Sequence, residues 1–185
     1  MSVKSENNKR IAKNTFLLYF RMLFTMGVSL YTSRVVLNTL GVEDFGIYNV
    51  VGGVVVMFSF LNSSLATATQ RFLNYEMGQG NALKLEKVFS IALTGHYLIA
   101  LSVILLAETI GLWFVSTQLE IPAERMHAAL WVYQFSILTL AVSIISVPYN
   151  AVIIAHERMK VFAYVSIAEV SLKLTVVFLL VYLSF

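Results

Sequence analysis

The chain has 185 residues, a formal net charge of +3 and no cysteine. Hydrophobic residues make up 58% and charged residues only 12%, with a mean hydropathy of +0.79, whereas soluble domains lie near roughly half apolar and about a quarter charged. The composition therefore excludes a water-soluble core, since much of the surface must face lipid. Two prolines among thirteen Phe and nine Tyr exclude a disordered chain. The absence of cysteine excludes disulfides, thiolate metal sites and cysteine nucleophiles.

Five long apolar runs follow one another, each sufficient to cross about 30 Å of hydrocarbon. The spans expected are 14–40, 45–75, 88–115, 128–155 and 161–185, behind a polar, basic tail at 1–13. Only helices and closed barrels satisfy backbone groups in lipid. Barrel strands would be about ten residues long with alternating polarity, so the expected fold class is an all-α, polytopic transmembrane bundle. The connections are short: Gly41 to Asp44, Met77 to Lys87, Ser116 to His127 and His156 to Lys160. Sequential spans are therefore expected to be antiparallel neighbours.

Basic residues alternate along these connections. The tail carries Lys4, Lys9, Arg10 and Lys13, the second connection Lys84 and Lys87, and the fourth Arg158 and Lys160. The first connection has none, and the third has Arg125 beside Glu120 and Glu124. Positive charge favours the cytoplasmic side, which places the N-terminus there. The tail lacks the apolar core and cleavage site of a signal peptide. The chain stops in an apolar run, Val181 to Phe185, after an odd number of spans, which reads as the N-terminal part of a longer protein. Nucleic acid is not an expected partner, because that needs a solvated basic face.

Ionisable groups at membrane depth need a partner or a wet cavity, at about 2.5–3.5 kcal/mol each on insertion scales. In the first span Arg21, Thr25, Ser29 and Thr32 share one helical face, and Arg34 lies towards the outer end. The second span has a polar inner half containing Asn62, Gln70 and Arg71, with Glu76 at its end. On the fourth, Ser136, Thr139, Ser143, Ser146 and Asn150 step by three and four, and Pro148 frees the carbonyl of Ile144. His96 and Glu108 lie on the third, and Glu169 and Lys173 form an i, i+4 pair on the fifth.

Each feature has two readings. Hydroxyl stripes serve helix packing as well as cavity lining, and arginines near span ends can snorkel to headgroups. Glu169 and Lys173 can neutralise each other or couple an ion. Arg21, Arg34 and Arg71, with Asn62 and Gln70, are the candidate substrate-binding residues, because guanidinium forks match phosphate oxygens. Enzyme chemistry is not expected. The one aspartate is Asp44, the three histidines lie on separate segments, and no phosphate loop, H-E-x-x-H or G-x-S-x-G occurs. No metal or cofactor site is expected either.

Two stretches carry a family likeness. RVVLNTLGVEDFGIYNVVGG runs from Arg34 to Gly53 around an L-G-x-x-D-F-G-x-Y core, and ATATQRFLNYEMG from Ala66 to Gly78. With the preceding NKRIAKNT, they resemble O-antigen flippases and related polysaccharide export proteins of the multidrug/oligosaccharidyl-lipid/polysaccharide exporter superfamily. The resemblance covers the first two spans. It implies a full-length protein of twelve or more spans in two six-helix bundles, working by alternating access in a bacterial inner membrane. It also implies a polyprenyl-pyrophosphate-linked oligosaccharide as partner, beside membrane lipid, and a cationic cavity at Arg21, Arg34 and Arg71. The alternative within the superfamily is a multidrug/cation antiporter, which would need cavity carboxylates such as Glu76, Glu108 or Glu169.

Overall fold

The computed structural model describes residues 3–183; the side chains of 3–7, 10, 60–63 and 180 lie outside the described set. All long elements are helices: α1 (Val3–Val56), α2 (Phe60–Gly78), α3 (Ala82–Leu106), α4 (Leu112–Thr117), α5 (Ala123–Ala155) and α6 (Met159–Leu183). A 3₁₀ turn, Met57–Ser59, joins α1 to α2, and a π turn, Ala107–Gly111, joins α3 to α4. Four helical stretches are long and apolar enough to cross a membrane: Ile11–Gly78, Ala82–Thr117, Ala123–Ala155 and Met159–Leu183. No strand occurs among the described residues.

Several helices run further than the apolar runs suggest, and at the α2–α3 junction backbone stops and caps rather than hydropathy set the ends. Gly41 alone breaks α1, at φ 78 and ψ 171, a region open essentially to glycine. Val42, Glu43 and Asp44, expected in a loop, are helical again. At the end of α2, Gly80 takes φ 68 and its N–H donates to the Met77 carbonyl at 3.1 Å, the left-handed stop that favours glycine. Asn81 then caps α3, its side chain accepting from the Lys84 N–H at 3.0 Å. The expected eleven-residue connection from Met77 to Lys87 thus shrinks to Gln79, Gly80 and Asn81.

The chain forms two compact units: residues up to Phe45 with those from His156 onward, and Gly46–Ala155. In the first, α1 meets α6 through the tilted rings of Tyr31 and Phe178, 6.0 Å apart. Few side chains of α6 are buried, Ala163 and Val177 among them. Its other faces expose Val165, Leu172, Val176 and Leu179, the all-round apolar character of a helix meant for lipid.

The second unit has the tighter core. Along α5, Ala129, Tyr133, Ile137, Leu140 and Ile144 step by three and four and are buried with Val51 and Val55 of α1, Ala100 and Val103 of α3, and Val115 of α4. Pro148 is buried within α5, and the helix continues across it. Leu98, Leu101 and Leu105 on α3, and Leu138 and Val142 on α5, stay exposed. In water these would be a liability; in hydrocarbon they are the solvated surface.

The π turn has a local cause. Tyr133 is fully buried and its hydroxyl donates to the Ala107 carbonyl at 2.7 Å, which also accepts the Leu112 N–H. A Cβ on Gly111 would stand 2.1 Å from the Tyr133 hydroxyl and 3.3 Å from Cζ. Glycine is needed here for space. Gly111→Ala is expected to lower stability by about 1–3 kcal/mol, the usual cost of overpacking. Tyr133→Phe should cost about 1 kcal/mol for the lost hydrogen bond and, combined with Gly111→Ala, should recover much of the alanine's loss. Thermal unfolding of the four proteins in detergent measures this, and simple additivity would show that the two positions do not meet.

Candidate functional site

The α5 surface beside the core stripe mixes hydroxyl and amide groups with aromatic and aliphatic side chains. Ser136 and Ile137 are neighbours in sequence and so about 100° apart around the helix. The second face opens onto two hollows within the second unit. The larger, about 940 Å³, is walled by Tyr48, Asn49, Gly52 and Gly53 of α1 and by Trp131, Phe135, Ser136, Thr139 and Ser143 of α5. The smaller, about 480 Å³, lies among Ala66 and Gln70 of α2 and Val147, Asn150 and Ile154 of α5. Ser59 and Ser143 line both. From Trp131 to Ile154 the groove follows α5 for about 35 Å at 1.5 Å per residue, close to the hydrocarbon thickness.

The hydroxyls on this wall keep their protons for the helix. Ser136 donates to the Val132 carbonyl at 2.7 Å and Thr139 to the Phe135 carbonyl at 2.8 Å. What they turn to the groove is acceptor oxygen. At the other end of the stripe the rings of Trp131 and Phe135 stack, 5.7 Å apart and 26° from parallel, with His127 edge-on to Trp131. Among the described residues, no charged side chain lines either hollow.

The sequence stripe is thus mostly one surface. Ser136, Thr139, Ser143 and Asn150 line the groove, while Ser146 donates to the Val142 carbonyl at 2.7 Å and is not part of the lining. Gln70 lines the smaller hollow; Arg71, one residue on, is exposed elsewhere on α2. Asn62 lies on α2, with its side chain outside the described residues. Among the polar and aromatic lining residues, sequence reasoning missed Tyr48, Asn49, Trp131 and Phe135. Stepping back from Ser143 by four through Thr139 reaches Phe135 and Trp131, so the same helical period that marks the hydroxyl stripe also reaches these rings.

In the other unit, Arg21 is half-buried on α1. Its Nη1 donates to Ser166 Oγ on α6 at 3.1 Å, and its Cζ lies 4.5 Å over the Phe162 ring. Its Nε is buried with no hydrogen-bond partner. Thr25 donates to the Arg21 carbonyl, and Thr32 is buried with its hydroxyl oxygen unpartnered. Arg34 is exposed on α1, about 20 Å along the helix from Arg21. Those two cannot grip one phosphate. Glu169 and Lys173 are exposed on α6, and their side chains do not pair with each other.

His96, Glu108 and Glu76 lie in the second unit. His96 is 3% exposed, with Nδ1 2.7 Å from the Ala92 carbonyl and Nε2 unpartnered. Glu108, on the π turn, accepts from Gln134 Nε2 at 3.1 Å, and Glu76 has one buried, unpartnered oxygen. No three His, Asp or Glu side chains among the described residues gather as a metal site would require. Compared with known protein families, curated proteins and solved structures, the chain matches none.

The absence of cysteine makes single replacements direct reporters of water. Thr139→Cys and Ser143→Cys are expected to react with a membrane-impermeant thiol reagent in intact membranes. Leu138→Cys, 59% exposed on another face of α5, should stay unreacted in lipid. If all three stay unreacted, the groove is dry.

Proposed function

We propose that this chain belongs to a multi-pass transporter of the bacterial inner membrane, a flippase that moves a polyprenyl-pyrophosphate-linked oligosaccharide for polysaccharide or lipopolysaccharide assembly. The observation that carries the reading is Arg21. A guanidinium that served only lipid headgroups would extend outward, whereas this one is drawn between α1 and α6, against Ser166 and Phe162. Its buried Nε lacks an acceptor, and a buried donor left unsatisfied costs about 1–3 kcal/mol. An anionic headgroup arriving beside α1 would supply that acceptor and draw on the guanidinium's fork. Arg34 and Arg71 add further positive charge on α1 and α2. The motif around the Gly41 break and the stretch from Ala66 to Gly78, which resemble polysaccharide exporters, support the same reading.

In this reading the chain crosses the membrane five times. The Ile11–Gly78 stretch of 68 residues would be about 100 Å long as one straight helix, some three times the hydrocarbon thickness. The break at Gly41 divides it into two crossings, joined at a connection without Lys or Arg. The basic tail then lies in the cytoplasm with Lys84, Lys87, Arg158 and Lys160. A pyrophosphate cannot enter hydrocarbon unpaired. A wet passage that opens alternately to each side lets the headgroup cross while the polyprenyl tail remains in lipid.

Arg21→Ala in the full-length protein is expected to abolish polysaccharide export without lowering the protein level in the membrane. Arg21→Lys, which keeps the charge and loses the planar fork, should retain partial export. Normal export by Arg21→Ala would sink the reading.

A further inference from the structure

We propose that the groove along α5 is a track for an uncharged, polyhydroxylated headgroup, so that the translocated glycan is neutral where it meets this wall. This rests on the transporter reading and adds to it the chemistry of the cargo.

Three features of the lining select that cargo. Among the described residues no Asp, Glu, Lys, Arg or His borders either hollow, so a charged sugar or a pyrophosphate held here would lose water without gaining a counter-charge. The hydroxyls of Ser136 and Thr139 are committed as donors to their own helix, and their remaining lone pairs ask for donors. Sugar hydroxyls are donors. Gln70 and Asn150 add carboxamides with both donor and acceptor capacity, and neither has a hydrogen bond to another described residue. A lipid tail in this place would leave those amides facing hydrocarbon.

The aromatic end supplies the third feature. Trp131 and Phe135 are stacked and 55% and 60% exposed. The electron-rich face of an aromatic ring suits the weakly positive C–H face of a pyranose. Rings along one end and acceptors and amides along the rest match an oligosaccharide lying lengthwise, with its flat faces on the rings and its hydroxyl edges on the stripe.

The test uses the full-length protein in lipid nanodiscs. Trp113→Phe leaves Trp131 as the reporter on the chain described here, and any tryptophan beyond it is likewise replaced by Phe. Maltohexaose serves as the neutral probe and hexagalacturonate as the acidic probe of equal length. Maltohexaose at millimolar concentration is expected to shift Trp131 emission and to protect Ser143→Cys from thiol labelling. Hexagalacturonate should be weaker by about ten-fold or more. Gln70→Leu combined with Thr139→Val should weaken maltohexaose by about ten-fold while the protein level holds. Equal response to the two probes overturns the proposal. So does failure of maltohexaose to protect Ser143→Cys, or cross-linking of that variant to another helix whether or not sugar is present, which would make the groove a helix seat. If Arg21→Ala stops export while maltohexaose leaves the groove untouched, the transporter reading stands and the neutral-track proposal falls.

Discussion

Every backbone N–H and C=O of a chain lying in hydrocarbon must find its partner within the polypeptide, because no water is there to take its place. That demand makes the long elements helical and extends to the side chains. Thr39, Thr94, Ser102, Thr117 and Thr175 donate to the carbonyl four residues earlier, as do Ser136, Thr139 and Ser146. A hydroxyl tied back in this way costs little in lipid. A Ser/Thr stripe is therefore ambiguous by nature, and only its neighbours decide whether it meets a helix, lipid or a cavity.

The departures from regular helix are few, and most have a visible cause. At Gly41 the backbone takes a conformation that side chains resist. At Ala107–Gly111 the Tyr133 hydroxyl takes the space of a missing side chain and adds a second bond to the Ala107 carbonyl. A hydrogen-bonding group inserted beside the helix ladder is a recognised source of such irregularity. The 3₁₀ turn at Met57–Ser59 brings Ser59 to the place where the two hollows meet. Tyr133 faces the core while Trp131 and Phe135, two residues to either side, line the groove. The rotation of α5 that seats the tyrosine thus also sets the aromatic end of the groove.

Charge and groove are kept apart within the second unit. Gln70 lines the smaller hollow, and Arg71, about 100° further round α2, does not. Arg21, in the other unit, reaches Ser166 and Phe162. Under the proposed function, a pyrophosphate-linked glycan would need paired charge for its phosphates and neutral hydrogen bonding with flat apolar faces for its sugars.

The amino-acid order by itself determined the helical class, the membrane setting and the polar stripe on α5, because these follow from composition and from a period of 3.6 residues that needs no partner to be visible. It also marked Gly41 and Arg21 as positions of consequence. Only the tertiary structure decided that Gln70 rather than its neighbour Arg71 borders a hollow, that Ser146 leaves the stripe, and that Trp131 and Phe135 belong to it. It alone placed Arg21 against Ser166 and Phe162, 145 and 141 residues away in the chain. The physical reason is that a helix's own periodicity fixes which residues share a face, while what that face meets depends on contacts between segments distant in sequence, which no local pattern encodes.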